Sequence, residues 1–194
     1  MISALILVGG RATRVQGYPK YLFTYEDKTF LERQIEELSR CTDEILIVCR
    51  DAEQVRDLSL MYPIQCISDI RKDQGPAGGI HAGMWHAQGT YVYVTACDMP
   101  FVSCKVIWYL VQAAQGSDAA VPIWKDGKYE PLCAVYRRNA VRDFFKSRDE
   151  RRLSVLIRSL NTKFIPVEEL HALVPDQDIF YNVNDMQSLS KIKK

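Results

Sequence analysis

The 194-residue sequence predicts an α/β protein of three layers (α/β/α), a mostly parallel sheet with helices on both faces. Three observations carry that expectation. Short apolar runs alternate with segments of helical spacing along most of the chain. The first run, Ile2 to Val8, is continuous rather than alternating and stops at Gly9-Gly10, as a strand covered on both faces does. A composition of 47% hydrophobic and 25% charged residues suffices to bury one core, so residues 1–194 are expected to form a single domain.

The elements follow in order. After the first strand, Leu31, Ile35 and Leu38 recur at helical spacing, and Ile45 to Cys49 is a second apolar run rich in β-branched residues. A helix over Ala52 to Leu60, a strand at Ile64 to Ile67, a glycine-rich turn and a helix over Ile80 to Gln88 come next. Tyr91 to Ala96 reads as a strong strand. Ser103 is placed to cap a helix whose Val106, Leu110 and Val111 share a face, and Ala119 to Pro122 follows as a strand. Lys125-Asp126-Gly127-Lys128 then predicts a hairpin tip, with Leu132 to Tyr136 returning as a strand that interrupts the alternation. Helices over Ala140 to Ser147 and Leu153 to Leu160, a strand near Phe164 and a helix from Met186 close the chain.

A net charge of +1 is too small for a protein that holds nucleic acid or an anionic membrane through its overall field, so any basic site is local. Cysteines 41, 49, 66, 97, 104 and 133 show no zinc-ligand spacing and are expected as reduced, mostly buried thiols. Ile2 to Val8 has no basic leader or cleavage site and is too short to span a bilayer. A cytoplasmic protein, with neither membrane nor nucleic acid as partner, is the expectation.

The segment from Leu7 to Lys20 holds three cations, Arg11, Arg14 and Lys20, and no acid. Glycines 9 and 10 let backbone N–H groups approach an anion with no Cβ in the way, and Arg14 and Lys20 carry charge to neutralise a triphosphate. Neither Gly-Lys-Ser/Thr nor Gly-x-Gly-x-x-Gly is present, which removes the two commoner nucleotide motifs. The plain alternative is a tight turn carrying solvated cations.

Leu-x-Gly-Gly-x-x-x-Arg, followed six residues later by a lysine, resembles the signature of nucleotidyltransferases with a nucleoside-diphosphate-sugar transferase fold. Within that group the chain is most similar to the molybdenum cofactor guanylyltransferase family. The resemblance implies a Rossmann-like nucleotidyltransferase fold, nucleotide contacts from Leu7, Val8, Gly9 and Gly10, and phosphate contacts from Arg14 and Lys20. It departs from the family pattern at Val15-Gln16 and Pro19, which are similar to the sugar-nucleotide branch, and at Cys49, where the family often has asparagine.

Asp98, in Ala96-Cys97-Asp98-Met99-Pro100, ends a strand on the side where open α/β sheets place ligands, and a carboxylate there suits Mg²⁺. A turn aspartate before a proline is the bland reading. The family's Cys-Asp-x-Pro segment, which carries its magnesium-binding aspartate, implies the first. Asp69 is similar to a family aspartate that helps bind the nucleotide, and a carboxylate accepts from guanine N1–H and the exocyclic amine. Gly75-Pro76-Ala77-Gly78-Gly79 resembles the family turn that brings backbone, Gly75 included, to the nucleotide at a helix start.

On the acceptor side, Glu130 to Tyr136 and Asn182-Val183-Asn184-Asp185 resemble segments that border the second substrate. Asn182 and Asn184 are the candidate acceptor contacts, with capping of the helix from Met186 open as the role of Asn184 or Asp185. Arg151-Arg152 reads as a solvated basic turn or an anion guide. His81 and His86 are read as non-catalytic, and Trp85, Trp108 and Trp124 as core or partner contacts.

The resemblance implies transfer of GMP from GTP to molybdopterin with Mg²⁺, giving molybdopterin guanine dinucleotide and pyrophosphate, with Arg14, Lys20 and Asp98 as the catalytic groups. Two other readings stay open. One is a relative on the same fold with a cytidylyl, sugar-phosphate or cobinamide-phosphate substrate. The other is a non-catalytic nucleotide- or cofactor-binding adaptor serving a cofactor-receiving enzyme, against which the co-occurrence of Lys20 and Asp98 argues.

Overall fold

The computed structural model describes residues 1–9, 18–69, 75–183 and 188, with the backbone of residues 14 and 15. Its strands are β1 (Ile2–Leu7), β2 (Arg14–Val15), β3 (Tyr18–Pro19), β4 (Thr24–Tyr25), β5 (Lys28–Thr29), β6 (Glu44–Cys49), β7 (Gln65–Ser68), β8 (Tyr91–Ala96), β9 (Ala119–Ile123), β10 (Cys133–Arg137) and β11 (Thr162–Pro166). The α-helices are α1 (Phe30–Leu38), α2 (Ala52–Met61), α3 (Pro76–His86), α4 (Cys104–Ala113), α5 (Arg138–Ser147), α6 (Leu153–Ser159) and α7 (Val167–Leu173). Seven strands form one sheet in the order β11-β9-β10-β8-β1-β6-β7. Only β10 runs against its neighbours β8 and β9, and every other pairing in that sheet is parallel.

The predicted three-layer α/β/α architecture is therefore observed, and the chain's own periodicity explains it. Along β1, Ala4 and Ile6 join Leu31, Leu38, Leu58, Val106, Ile107 and Leu170 on one side of the sheet, which is the side of α1, α2, α4 and α7. Leu5 and Leu7 face the other way, onto Ile80, Met84, Phe144, Phe145 and Leu156 of α3, α5 and α6. A strand with both faces covered has no polar face to show, and β1 is buried from Ser3 to Leu7. Close approach of α3 to the sheet requires small residues, since a Cβ on Gly83 would lie 2.3 Å from Leu5 Cδ1.

Several boundaries differ from expectation for identifiable reasons. Helix α3 begins at Pro76, not Ile80, because Gly75 adopts φ +61° as its N-cap and proline is suited to the first helical position. Ser103 precedes α4 but makes no side-chain cap; Glu37 Oε1 on α1 accepts the Cys104 N–H instead, at 2.9 Å. Helix α7 follows β11 directly at Pro166, without the polar punctuation that announces a helix. The hairpin tip is as expected, with Gly127 at φ +84° and its N–H on Trp124 O. The helix expected from Met186 lies outside the described residues. Among the described residues no helix is long and apolar enough to cross a membrane.

Chain order and sheet order together locate a switch point. From β1 the chain moves outward to β6 and β7, then returns through α3 to β8 on β1's other side. The carboxyl ends of β1 and β8 bracket that reversal, the crevice where such sheets bind ligands.

Candidate active site

The glycine loop leaves the sheet under tight steric control. Val8 N and Gly9 N both donate to Val48 O, at 2.9 and 3.2 Å, so the chain hugs the end of β6 as it departs. A Cβ on Gly9 would meet Arg50 N at 2.8 Å, Arg50 Cα at 3.0 Å and the Cys49 carbonyl carbon at 3.1 Å, all backbone atoms that cannot swing aside. Gln54 of α2 holds the junction from outside. Its Nε2 donates to Val8 O at 3.3 Å while its Oε1 accepts from Arg50 N at 2.8 Å. Sequence reasoning passed over Gln54, which lies in an ordinary-looking helix start; the only signal is a polar residue that turns out buried.

Gly10 and the side chain of Arg14 lie outside the described residues, as does Gln16. The backbone of Arg14 pairs with Pro19 across the two-residue β2–β3 ladder, so Arg14 is carried beside the residue that precedes Lys20. Lys20 opens a single 3-10 turn, Lys20–Leu22, which closes with Phe23 N on Lys20 O at 3.0 Å. Its side chain is 3% exposed, and among the described residues it is the only Lys, Arg, Asp or Glu that is buried. Burial of an ammonium is unfavourable unless a partner and hydrogen bonds offset it. The partner is Asp98, whose Oδ2 accepts from Lys20 Nζ at 3.1 Å across 78 residues of sequence.

Asp98 stands one residue past Cys97, whose N–H donates to Leu7 O at 3.1 Å, so the loops after β1 and β8 are bonded to each other. Met99 N turns back onto Ala96 O, at 3.2 Å. Asp98 Oδ1 is buried and accepts no hydrogen bond among the described residues. A buried carboxylate oxygen without a donor is a position where a cation fits. Among the described residues no three His, Cys, Asp or Glu side chains converge.

The remaining candidates fall around this pair unequally. Asp69 follows β7 at the same edge of the sheet, half-buried, with its N–H on Cys49 O at 2.8 Å. Cys49 itself is fully buried, and burial, with the neighbouring Cys66, drives its thiol far above the ordinary range, so this position turns into the core. Gly75 is exposed at the start of α3 with open space around its Cα. Gly79 serves packing instead, since a Cβ there would touch Leu7 Cδ2 at 3.2 Å.

Asn182 is exposed and borders the site through its neighbour: Val183 N donates to Asp98 O at 2.9 Å, and the Val183 side chain is buried against Phe23 and Phe30. Asn184 and Asp185 lie outside the described residues. The β9–β10 hairpin rises from the same edge. There Trp124 Nε1 donates to Glu130 Oε1 at 2.6 Å, and the Trp124 ring packs on Phe180 at 5.4 Å between centroids. Desolvation raises the Glu130 carboxyl above its usual value.

His81 lies among side chains of the fold's interior. His81 Nε2 accepts from Trp85 Nε1 at 2.7 Å, and the His81 ring lies 5.0 Å from that of Phe145. Exposed Arg152 pairs with partly buried Glu150 at 3.0 Å, on the surface side of the turn. Trp85 and Trp108 are 38% and 51% exposed, outside the core in which they were one expectation.

Comparison with known proteins places this arrangement. A family model described as a MobA-like NTP transferase domain matches residues 4–164. A probable molybdenum cofactor guanylyltransferase of Methanosarcina acetivorans is 36% identical, covering 98% of this chain and 89% of that relative. A second from Methanosarcina mazei is 34% identical over 98% of this chain and 89% of its own. The crystal structure of molybdopterin-guanine dinucleotide biosynthesis protein A from Archaeoglobus fulgidus superposes with a TM-score of 0.83 at 30% identity, covering 98% of this chain and 96% of that one. The chain belongs to the MobA-like NTP transferase family of nucleotidyltransferases.

Proposed function

We propose that this enzyme transfers GMP from GTP to molybdopterin, releasing pyrophosphate and giving molybdopterin guanine dinucleotide. The observation that carries the reading is the Lys20–Asp98 pair, buried at the switch point beside the departing glycine loop. Transfer between two anions needs charge neutralisation and in-line placement more than a protein nucleophile. A phosphate oxygen of the acceptor attacks the α-phosphorus of GTP, the bond from that phosphorus to the bridging β-phosphate oxygen breaks, and pyrophosphate leaves.

Each residue has a task in that sequence. The loop after β1 holds the triphosphate through its backbone, and Gly9 allows the approach. Lys20 and Arg14 neutralise charge on the departing pyrophosphate. Asp98 would hold Mg²⁺ through Oδ1, the buried oxygen that accepts no hydrogen bond among the described residues. Mg²⁺, when bound, supplies positive charge shared among phosphate oxygens. Asp69 accepts from guanine N1–H and the exocyclic amine, and Gly75 presents backbone to the nucleotide. Asn182, exposed beside Val183, contacts the acceptor, a role the family resemblance extends to Asn184. Six free cysteines, five of them buried, support a cytoplasmic, reducing location.

Pyrophosphate release from each of the four nucleoside triphosphates, with Mg²⁺ and with molybdopterin or sugar phosphates as acceptor, tests the reading. Release with GTP and molybdopterin is expected. Release with CTP or a sugar phosphate, and none with GTP plus molybdopterin, would reject it.

A further inference from the structure

Gln34 sits at the centre of α1 on its apolar face, three residues after Leu31 and four before Leu38, and is wholly buried. A glutamine so placed draws its partners from inside the fold; its Oε1 has none among the described residues, and its nitrogen has two. Its Nε2 donates to Ala96 O and to Met99 O, both at 2.8 Å. Those are the carbonyls on either side of the Cys97-Asp98 turn, so one planar carboxamide spans the base of the loop that carries Asp98. Three residues along α1, Glu37 Oε1 takes the Cys104 N–H at 2.9 Å and fixes the loop's far end.

The same helix also governs Lys20. Phe30 N, at the first position of α1, donates to Phe23 O at 2.8 Å, and Phe23 N closes the turn on Lys20 O. Both members of the Lys20–Asp98 pair are thus referred to one rigid helix, Lys20 through its N-terminus and Asp98 through Gln34. We propose that Gln34 is a positioning residue that sets the direction of the Asp98 carboxylate toward the metal and phosphate. This rests on the reading of Asp98 as the metal ligand.

The test uses Gln34→Glu, which keeps the shape but turns an acceptor onto the two carbonyls, and Gln34→Met, which keeps the volume and removes the donor. Three quantities are read for each folded variant: thermal midpoint, Mn²⁺ affinity in the presence of a non-hydrolysable GTP analogue by electron paramagnetic resonance, and kcat against KM for GTP. Gln34→Glu is expected to weaken Mn²⁺ at least about 5-fold and to lower kcat at least about 10-fold, with KM for GTP within about 3-fold. Gln34→Met is expected to move the same quantities in the same direction.

A merely structural glutamine would lower the thermal midpoint while leaving Mn²⁺ affinity and kcat within about 2-fold of wild type, and that result overturns the proposal. Should neither variant fold, the wild-type protein decides. The Gln34 side-chain N–H signals should be protected from exchange and shift when Mg²⁺ and nucleotide bind; rapid exchange or no shift refutes it. If the wild type proves not to use GTP with molybdopterin, Mn²⁺ affinity is read with whichever nucleotide it binds, so failure of the functional reading and failure of this inference are separable.

Discussion

Replacing Gly9 by alanine is the sharpest test of how the glycine loop is held. The added Cβ would sit 2.8 Å from Arg50 N, about 0.6 Å inside the 3.4 Å at which contact becomes ordinary. Arg50 cannot retreat, because its N–H is bound by Gln54 at 2.8 Å and the strand before it is paired on both sides. The loop must therefore move. Gly9 N, already 3.2 Å from Val48 O, is carried out of hydrogen-bond range by a shift of that size. Overpacking of this kind destabilises by about 1–3 kcal/mol, and at about 2–4 °C per kcal/mol for a chain this long the melting midpoint falls by roughly 2–12 °C. A displacement near 0.6 Å at the phosphate cradle lowers kcat/KM for GTP by about 10- to 100-fold, since about 1 Å is enough for a hundredfold loss. Gly127→Ala is the control: φ +84° at the hairpin tip makes it strained, by about 1–2 kcal/mol, yet a Cβ there has nothing within 4 Å. Melting by calorimetry and steady-state pyrophosphate release decide the matter. Gly9→Ala with a midpoint within about 1 °C and kcat/KM within about 2-fold of wild type refutes the steric argument, as would equal activity loss in both variants.

Three further outcomes are expected. Asp98→Asn should lower turnover by about a thousandfold or more while GTP affinity, by calorimetric titration, stays within a few-fold; unchanged turnover removes Asp98 from the metal role. Glu130 carries a pH signature. Desolvation holds its carboxyl above 4.5 in the fold, so the folded chain binds more proton than the unfolded one, and the stability it lends below pH 4.5 is lost as pH rises through the raised value. Urea midpoints of Glu130→Gln should therefore gain on wild type between pH 4.5 and 7, and a difference that stays flat across that range would sink the argument. Burial holds the Cys133 thiol up at about 12 and the thiols of Cys49, Cys97 and Cys104 well above the ordinary range. Ellman's reagent at pH 7.5 should then titrate no more than half-exposed Cys66 quickly in the native protein, and all six cysteines once it is unfolded; two or more fast native thiols would contradict the burial.

What the sequence disclosed follows the range over which each signal acts. Tyr91–Ala96 was legible to the residue because a strand covered on both faces is continuously apolar and ends abruptly at Cys97-Asp98. The first turn of α3 was misread because Gly75 to Gly79 looks like a loop; Gly79, with Gly83 one turn on, is instead what allows the helix to approach Leu7 and Leu5. Helix α4 lost its expected serine cap to Glu37, a residue 67 positions away, and no local rule reaches that far. Strands β2 to β5 are two residues each, too short to show periodicity. The glycine loop was legible from its cations and paired glycines and Asp98 from its place at a strand's carboxyl end, with the family resemblance sharpening both, and that Lys20 and Asp98 touch is a fact of the fold alone. Gln34 did leave a trace, a lone polar residue at helical spacing between Leu31 and Leu38.

The reversal of β10 gives the site its second half. A parallel strand after β9 would need a crossover of a dozen or more residues returning to the amino edge of the sheet. An antiparallel one is reached by a hairpin, and that hairpin stays at the carboxyl edge, where Trp124 and Glu130 stand. Because β10 lies directly against β8, the hairpin rises beside the strand that ends in Asp98. The side of the crevice built on β1, β6 and β7 and the side built on β10 and the Val183 segment therefore meet at one carboxylate. Lys20 reaches that carboxylate from a 3-10 turn that belongs to neither half of the sheet. That turn is tied to α1 through Phe23 and Phe30, so the ammonium is held as firmly as the two halves it stands between. For a reaction whose difficulty is bringing two anions into line, two rigid halves and a positive charge fixed where they meet are the physical requirement this topology meets.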